Sequence, residues 1–376
     1  MGHIDSIRGF AALLVVWMHT TAIFKSIQTP DGSGSQLYDV AYLFDFGRIG
    51  VIAFFAISGF VICPSLKGGR VAGSGKFVIS RFFRLYPAFW ASIICAILVL
   101  FVLPARKIDG AQVLGNITMF YSVFDVMPLQ GLYWTLEVEL VFYFLCLAMF
   151  LIGALHRPLA IFGACICLMS FQNFLSTDPE LRQQITAMFS KSWPRMPWHL
   201  AIMFWGGLFR IWYDDRQRLV TIWRIRVPIL LLVITALLLI LIQPFMFIDR
   251  AIENGGGLKQ YSGMLAYILG IFFFVTGALY LRVNNKFFVW LGAISYSLYL
   301  LHPIASQLLR TVIKNYFPDY VDLHLGVTLF LGIIFSIVIS AIVYHLIEKP
   351  SIRWGRILQK KWHLPRSERE IDSLSA

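Results

Sequence analysis

The sequence predicts an all-α fold: a polytopic membrane helix bundle of about ten transmembrane helices with both termini cytoplasmic. Three observations lead there. Of 376 residues, 58% are hydrophobic and 14% charged, and the mean hydropathy is +0.72. A soluble domain carries about 25% charged residues, so this chain lacks the polar surface that would dissolve it. Apolar runs near the roughly 20 residues that cross a bilayer recur along almost the whole chain. The charges, finally, segregate by loop. A net charge of +12 would suggest nucleic acid in a soluble protein. Here its distribution follows the positive-inside rule, which points to the lipid bilayer as partner and to no nucleic acid.

Ten runs are candidate spans: 7–25, 48–66, 85–104, 132–153, 159–175, 197–213, 227–248, 262–281, 287–309 and 324–347. The first continues past His19 without a small-residue cleavage pattern, so it reads as a retained span and not a leader. Segment 111–124 is too short and too polar to cross, and is expected to lie on the surface or dip into it. The run 159–175 is short, and 197–213 opens with Pro197 and contains Gly206 and Gly207. With the N-terminus inside, 21 of the 32 Lys and Arg fall on the cytoplasmic side, and the other 11 are offset by 11 Asp and Glu. Dropping one span would scramble that asymmetry, and an even number returns the C-terminus to the cytoplasm. Residues 362–376 read as a short polar cytoplasmic tail. Neither a solenoid period nor an inverted repeat of the transporter kind is present. Cys63, Cys95, Cys146, Cys165 and Cys167 all lie in apolar runs and are expected to be buried, inert thiols.

Ionisable residues inside spans are costly and mark function by default. Arg8 and His19 stand eleven residues apart in the first span, about three turns and roughly 16 Å along one helix face. His19 thus reads either as a satisfied interfacial His beside Trp17 or as a reactive imidazole. Glu137 and Glu139 are two apart, so they face different directions and only one need face the bundle interior; either could be a structural acceptor or the partner of a His. Arg81 and Arg84, one turn apart at the cytoplasmic edge of the third span, fit topological anchors or a guanidinium pair for phosphate. His302, followed by Pro303, lies near the outer end of the ninth span, where a kink is expected, with Tyr296 and Tyr299 one turn apart. Ser58 and Gly59 most simply permit close helix packing. Glu348 and Pro350 are expected to end the last span, with Glu348 free to pair with a basic loop.

The order of these segments resembles the acyltransferase-3 family of membrane acyltransferases. IDSIRGFAALLVVWMHT (4–20) carries the family's Arg and His separated by ten residues. GRIGVIAFFAISGFVI (from Gly47), RFFRLYP (81–87), WTLEVE (134–139), LGAISYSLYLLHP (291–303) and YHLIEKP (344–350) follow in the family's order. One departure is informative. Many relatives carry Val-Asp-x-Phe-Phe where this chain has Val51-Ile52-Ala53-Phe54-Phe55, so the polar position is lost.

The resemblance implies a single membrane acyltransferase domain over 1–361, without an added hydrolase-like domain. It implies transfer of an acyl group, most often acetyl, from cytoplasmic acyl-coenzyme A to a carbohydrate hydroxyl at a bacterial cytoplasmic (inner) membrane. Acetyl-CoA is then a co-substrate and no metal is expected. The acceptor class is exopolysaccharide, lipid-linked oligosaccharide or O-antigen. On that reading His19 is general base or transient acyl carrier, and Glu139, matching the Glu after Trp-Thr-Leu, orients it. Arg8, Arg81 and Arg84 hold the coenzyme, while Trp134, Tyr296, Tyr299 and His302 line the acceptor. A homo-oligomer or attachment to polysaccharide-synthesis machinery is compatible with this. On composition alone, a transporter or flippase without covalent chemistry fits equally well.

Overall fold

The computed structural model describes residues 2–28, 36–102, 108–188, 193–253, 257–317 and 325–362, so nearly all of the 362–376 tail lies outside it. Helix α1 (Gly2–Gln28) runs unbroken for 27 residues. A short α2 (Gln36–Leu43) leads into α3 (Phe46–Ile62), which is capped by Asp45 accepting from the Arg48 amide and closes in a 3₁₀ turn at Cys63–Ser65. Helix α4 (Arg70–Val102) begins fifteen residues ahead of the expected span and carries Pro87 inside it. The polar segment expected near 111–124 folds as α5 (Gly110–Ile117) followed by turns. Then come α6 (Trp134–Leu151), α7 (Pro158–Thr177), α8 (Pro179–Met188) and α9 (Met196–Asp214).

Strands β1 (Leu219–Ile222) and β2 (Ile225–Pro228) form the hairpin that joins α9 to α10 (Ile229–Glu253), a small departure from an all-helical chain. Helix α11 (Leu258–Thr276) ends in a π turn, Gly277–Leu281. Next, α12 (Lys286–Ala293) and α13 (Ser295–Tyr316) meet at 73°. The bend expected at Pro303 therefore falls at Ile294 instead, and α13 runs through Pro303 to Tyr316. Helix α12 lies along α1, and Gly292 meets the Asp5 carbonyl so closely that no Cβ would fit. Finally, α14 (Leu325–Val343) does not stop at Glu348. A π turn, Tyr344–Glu348, carries it into the basic, amphipathic α15 (Lys349–Trp362).

Among the described residues, eight helices are long and apolar enough to cross a bilayer, or nine if α12 and α13 count as one bent span. The run that drops out of the expected ten is α9. It carries Pro197, His199, Gly206, Gly207 and Arg210, which lower its hydropathy, yet every residue from Met196 to Phe209 is buried. A helix buried all round faces protein and not lipid. The outer helices show the converse: α14 turns Val327, Phe330, Leu331, Ile334, Val338 and Ile342 outward, an apolar surface that only lipid accommodates.

Helix α3 is the axis of the bundle, packed by α1, α9 and α11. Close approach is bought by glycine. A Cβ on Gly59 would overlap the Met203 carbonyl, and one on Gly206 would overlap the Ala56 carbonyl, so α3 and α9 touch backbone to backbone. Two cysteines depart from expectation: Cys167 is exposed and Cys95 half-buried, because both lie on outward faces, while Cys63, Cys146 and Cys165 are buried.

Candidate active site

An unbroken α1 keeps the spacing between Arg8 and His19 at eleven residues of rise, about 16 Å. Arg8 lines a cavity whose wall also includes Arg81, Arg84, Glu139, Tyr296 and Tyr299. Six of the nine residues that the resemblance gives a role are therefore brought together from four helices. The cavity follows α3 from Ile62 and Val61 through Ser58 and Phe54 to Val51, eleven residues or about 16 Å of helix.

The polar groups on this wall hold one another. Glu139 Oε1 accepts from Tyr143 Oη at 2.5 Å and from Ser58 Oγ at 3.4 Å. The Arg81 guanidinium lies over the Phe77 and Tyr143 rings, at 5.3 and 5.6 Å from their centroids. Arg84 Nη1 pairs with Glu348 Oε1 at 3.3 Å, and Ser297 Oγ donates to Glu348 Oε2 at 2.5 Å. Glu348 thus sits fully buried on α4's arginine and not on a basic loop. Tyr143, one turn after Glu139, is a partner that helical spacing could have revealed. Ser58 and Ser297 carried no such signal.

Beyond Tyr299 lies an imidazole pair. Tyr299 Oη exchanges a hydrogen bond with Thr135 Oγ1 at 2.9 Å, and its ring centroid is 6.1 Å from that of His302. His302 in turn lies 5.0 Å from His19, edge to face at 61°. His19 is exposed, and His302 is fully buried. A Thr20–Ser306 hydrogen bond of 3.0 Å ties α1 to α13 beside the pair.

Both tautomers are set by backbone. His19 Nδ1 lies 2.9 Å from the Val15 carbonyl and must donate to it, which leaves Nε2 with a free lone pair. His302 Nδ1 donates to the Tyr299 carbonyl at 2.8 Å and the Leu298 carbonyl at 3.1 Å, and its Nε2 is buried without a partner. The reason is local: Pro303 has no N–H, so the Tyr299 carbonyl four residues back has lost its helical donor. The imidazole takes its place.

Other expected pairings are absent. Glu139 makes no hydrogen bond to His19; it belongs to the cationic end of the cavity. Glu137 is the more buried of the two acids, and it holds the α5 segment by accepting from the Ser122 amide at 3.0 Å and Ser122 Oγ at 2.5 Å. Trp134 lines a second cavity together with His199, which sequence reasoning missed.

The sequence profile of the acyltransferase-3 family, described as an acyltransferase domain, matches residues 1–345. The chain belongs to that family. It is a multi-pass membrane acyltransferase. Neither a curated protein nor a solved structure matches it.

Pro303→Ala should restore an amide that competes for the Tyr299 carbonyl and frees the His302 ring. One hydrogen bond, about 1 kcal/mol, corresponds to a roughly fivefold loss of turnover. That loss should appear in kcat with KM for acyl donor unchanged; an unaltered kcat would separate Pro303 from the tautomer.

Proposed function

We propose that this acyltransferase moves an acyl group, acetyl in the simplest case, from cytoplasmic acyl-coenzyme A to a hydroxyl of a cell-envelope carbohydrate at the bacterial inner membrane. The observation that carries this reading is the polarity of one cavity: three arginines at one end and two imidazoles with free Nε2 atoms beyond the other. Coenzyme A is a polyanion on a long thin arm. Planar guanidiniums suit its phosphates, and the cavity's length of about 16 Å suits its pantetheine arm. Arg8 has no carboxylate within ion-pair distance among the described residues, so no direct ion pair competes there with a phosphate. With α9 counted as a crossing, the chain crosses ten times, both termini are cytoplasmic, and the arginine end faces the donor pool.

In the reaction, His19 Nε2 takes the proton of the acceptor hydroxyl as its oxygen attacks the thioester carbonyl. The C–S bond breaks, the ester forms, and the coenzyme thiolate leaves and takes up the proton from the imidazolium. Both imidazoles spend their Nδ1–H on backbone, so the pair has no proton of its own to share and takes one from substrate. The same free Nε2 also suits an acyl-His intermediate; trapping a labelled acyl group on His19 in the absence of acceptor distinguishes the two routes.

The donor end has its own test. Arg81→Ala/Arg84→Ala should raise KM for acyl-coenzyme A by at least about tenfold, the loss of two charge-assisted contacts, while KM for the acceptor holds. An unchanged donor KM would reduce the pair to topological anchors. Thiol release that depends on the acceptor, read with purified protein, separates this chemistry from transport.

A further inference from the structure

A second cavity borders α3 beside the arginine cavity and shares Val51 with it. Its wall is formed by Arg48, Arg195, His199, Tyr267, Trp134 and Ile52. The polar groups around this cavity are not used up by packing. His199 Nε2 shares a 2.8 Å hydrogen bond with Tyr267 Oη, but Nδ1 is buried with no partner. Buried polar atoms are paired in about 90% of cases or more, so an orphan on a cavity-lining residue asks for a ligand.

The charge on this wall is positive. Arg195 has no carboxylate within ion-pair distance among the described residues. Arg48 has Asp45 at 3.4 Å, a partly exposed pair, and its guanidinium lies 6.0 Å over the Tyr267 ring. Gly263 on α11 leaves room for that guanidinium, since a Cβ there would overlap Nη1. Arg195 occupies the N-cap position of α9 with no side-chain capping bond, and the amides and dipole of that helix end add to the field. Trp134, with its ring 5.2 Å from His199, supplies an aromatic wall. Guanidiniums beside aromatic faces and an unpaired imidazole form a site for an oxyanion carried on a sugar.

We propose that this second cavity binds the acceptor, and that it selects an acceptor bearing a phosphate or carboxylate oxyanion, held by Arg195 and Arg48 with His199 Nδ1 beside it. The identity of the ligand as acceptor rests on the acyltransferase reading above; the existence of the anion site does not. Trp134 precedes Thr135, which lines the donor cavity, so a sugar ring held against Trp134 brings its hydroxyls to the wall the two cavities share.

Binding, not turnover, tests this. Glucose 1-phosphate, glucuronate, glucose and a short polyprenyl phosphate would be titrated into purified full-length protein, with coenzyme A present to occupy the arginine cavity. The two charged sugars should bind and glucose should not. Arg195→Gln should weaken the charged sugars by at least about tenfold, Arg195→Lys should retain part of the affinity, and Arg81→Gln/Arg84→Gln should leave it as in wild type. Polyprenyl phosphate that binds and is lost with Arg195→Gln assigns the oxyanion to a lipid carrier; polyprenyl phosphate that does not bind assigns it to the glycan. Glucose binding as tightly as its phosphate, wild-type affinity in Arg195→Gln, or loss only in the Arg81/Arg84 variant would each overturn the proposal. A failure of coenzyme A itself to bind would count against the donor reading and leave the anion site standing.

Discussion

His19→Ala should abolish acyl transfer while leaving acyl-coenzyme A binding intact. A positioned general base contributes about 10²- to 10⁴-fold, which is about 3–5 kcal/mol of transition-state stabilisation. The proposed donor contacts lie elsewhere: Arg8, Arg81 and Arg84 line the arginine cavity, and His19 is not among the residues of its wall. The loss should therefore fall on kcat in a coenzyme-release assay, with donor affinity unchanged by direct titration. His302→Gln should fall between wild type and His19→Ala, because it removes the second Nε2 while leaving the exposed His19, the proposed base, in place. Near wild-type transfer by His19→Ala would rule the imidazole out as base and as acyl carrier alike.

The largest effect on stability is expected at Gly59. A side chain there meets the Met203 carbonyl and then the Gly207 amide, and neither is a side chain that can rotate away. The two most intimately packed helices of the bundle would have to separate. Overpacking ordinarily costs about 1–3 kcal/mol; Gly59→Val forces backbone apart and should exceed that range. Purified in detergent, it should lose its monodisperse elution peak and its thermal transition. Gly163→Ala on α7 is the control. Nothing lies within 4 Å of a Cβ at that position, so the exchange should be neutral or gain about 0.5–1 kcal/mol from helix propensity. If the two variants melted alike, backbone contact between α3 and α9 would not be what holds the centre together.

Much of this was readable in the chain because it depends on local period. Arg8 and His19 share a face since eleven residues is close to three turns, and no proline interrupts α1. Arg81 and Arg84, one turn apart, line one cavity together as their spacing indicated. What local period does not encode is which helix a polar group meets. Glu139 was expected beside His19 and instead bonds Tyr143 and Ser58. Glu348 was expected at a loop and instead lies beneath Arg84, against Ser297 from a third helix. His199 drew no notice, since a single His in an apolar run looks like any satisfied core residue until a cavity is seen beside it.

Composition and charge asymmetry alone determined that this chain is a helical membrane protein, because the cost of placing charge in lipid acts on every residue independently of its neighbours. Motif spacing along single helices pointed to candidate residues, six of which line one cavity. Only the tertiary structure decided how they divide: arginines and Glu139 around one cavity, His19 with His302 beyond Tyr299, and Trp134 turned to a second cavity with Arg48, Arg195 and His199. The widest of these groupings joins α1 to α13, where the Thr20–Ser306 bond beside the two imidazoles spans 286 positions. They depend on how α1, α3, α9 and α13 cross, which is fixed by glycine contacts and backbone carbonyls that no single segment contains.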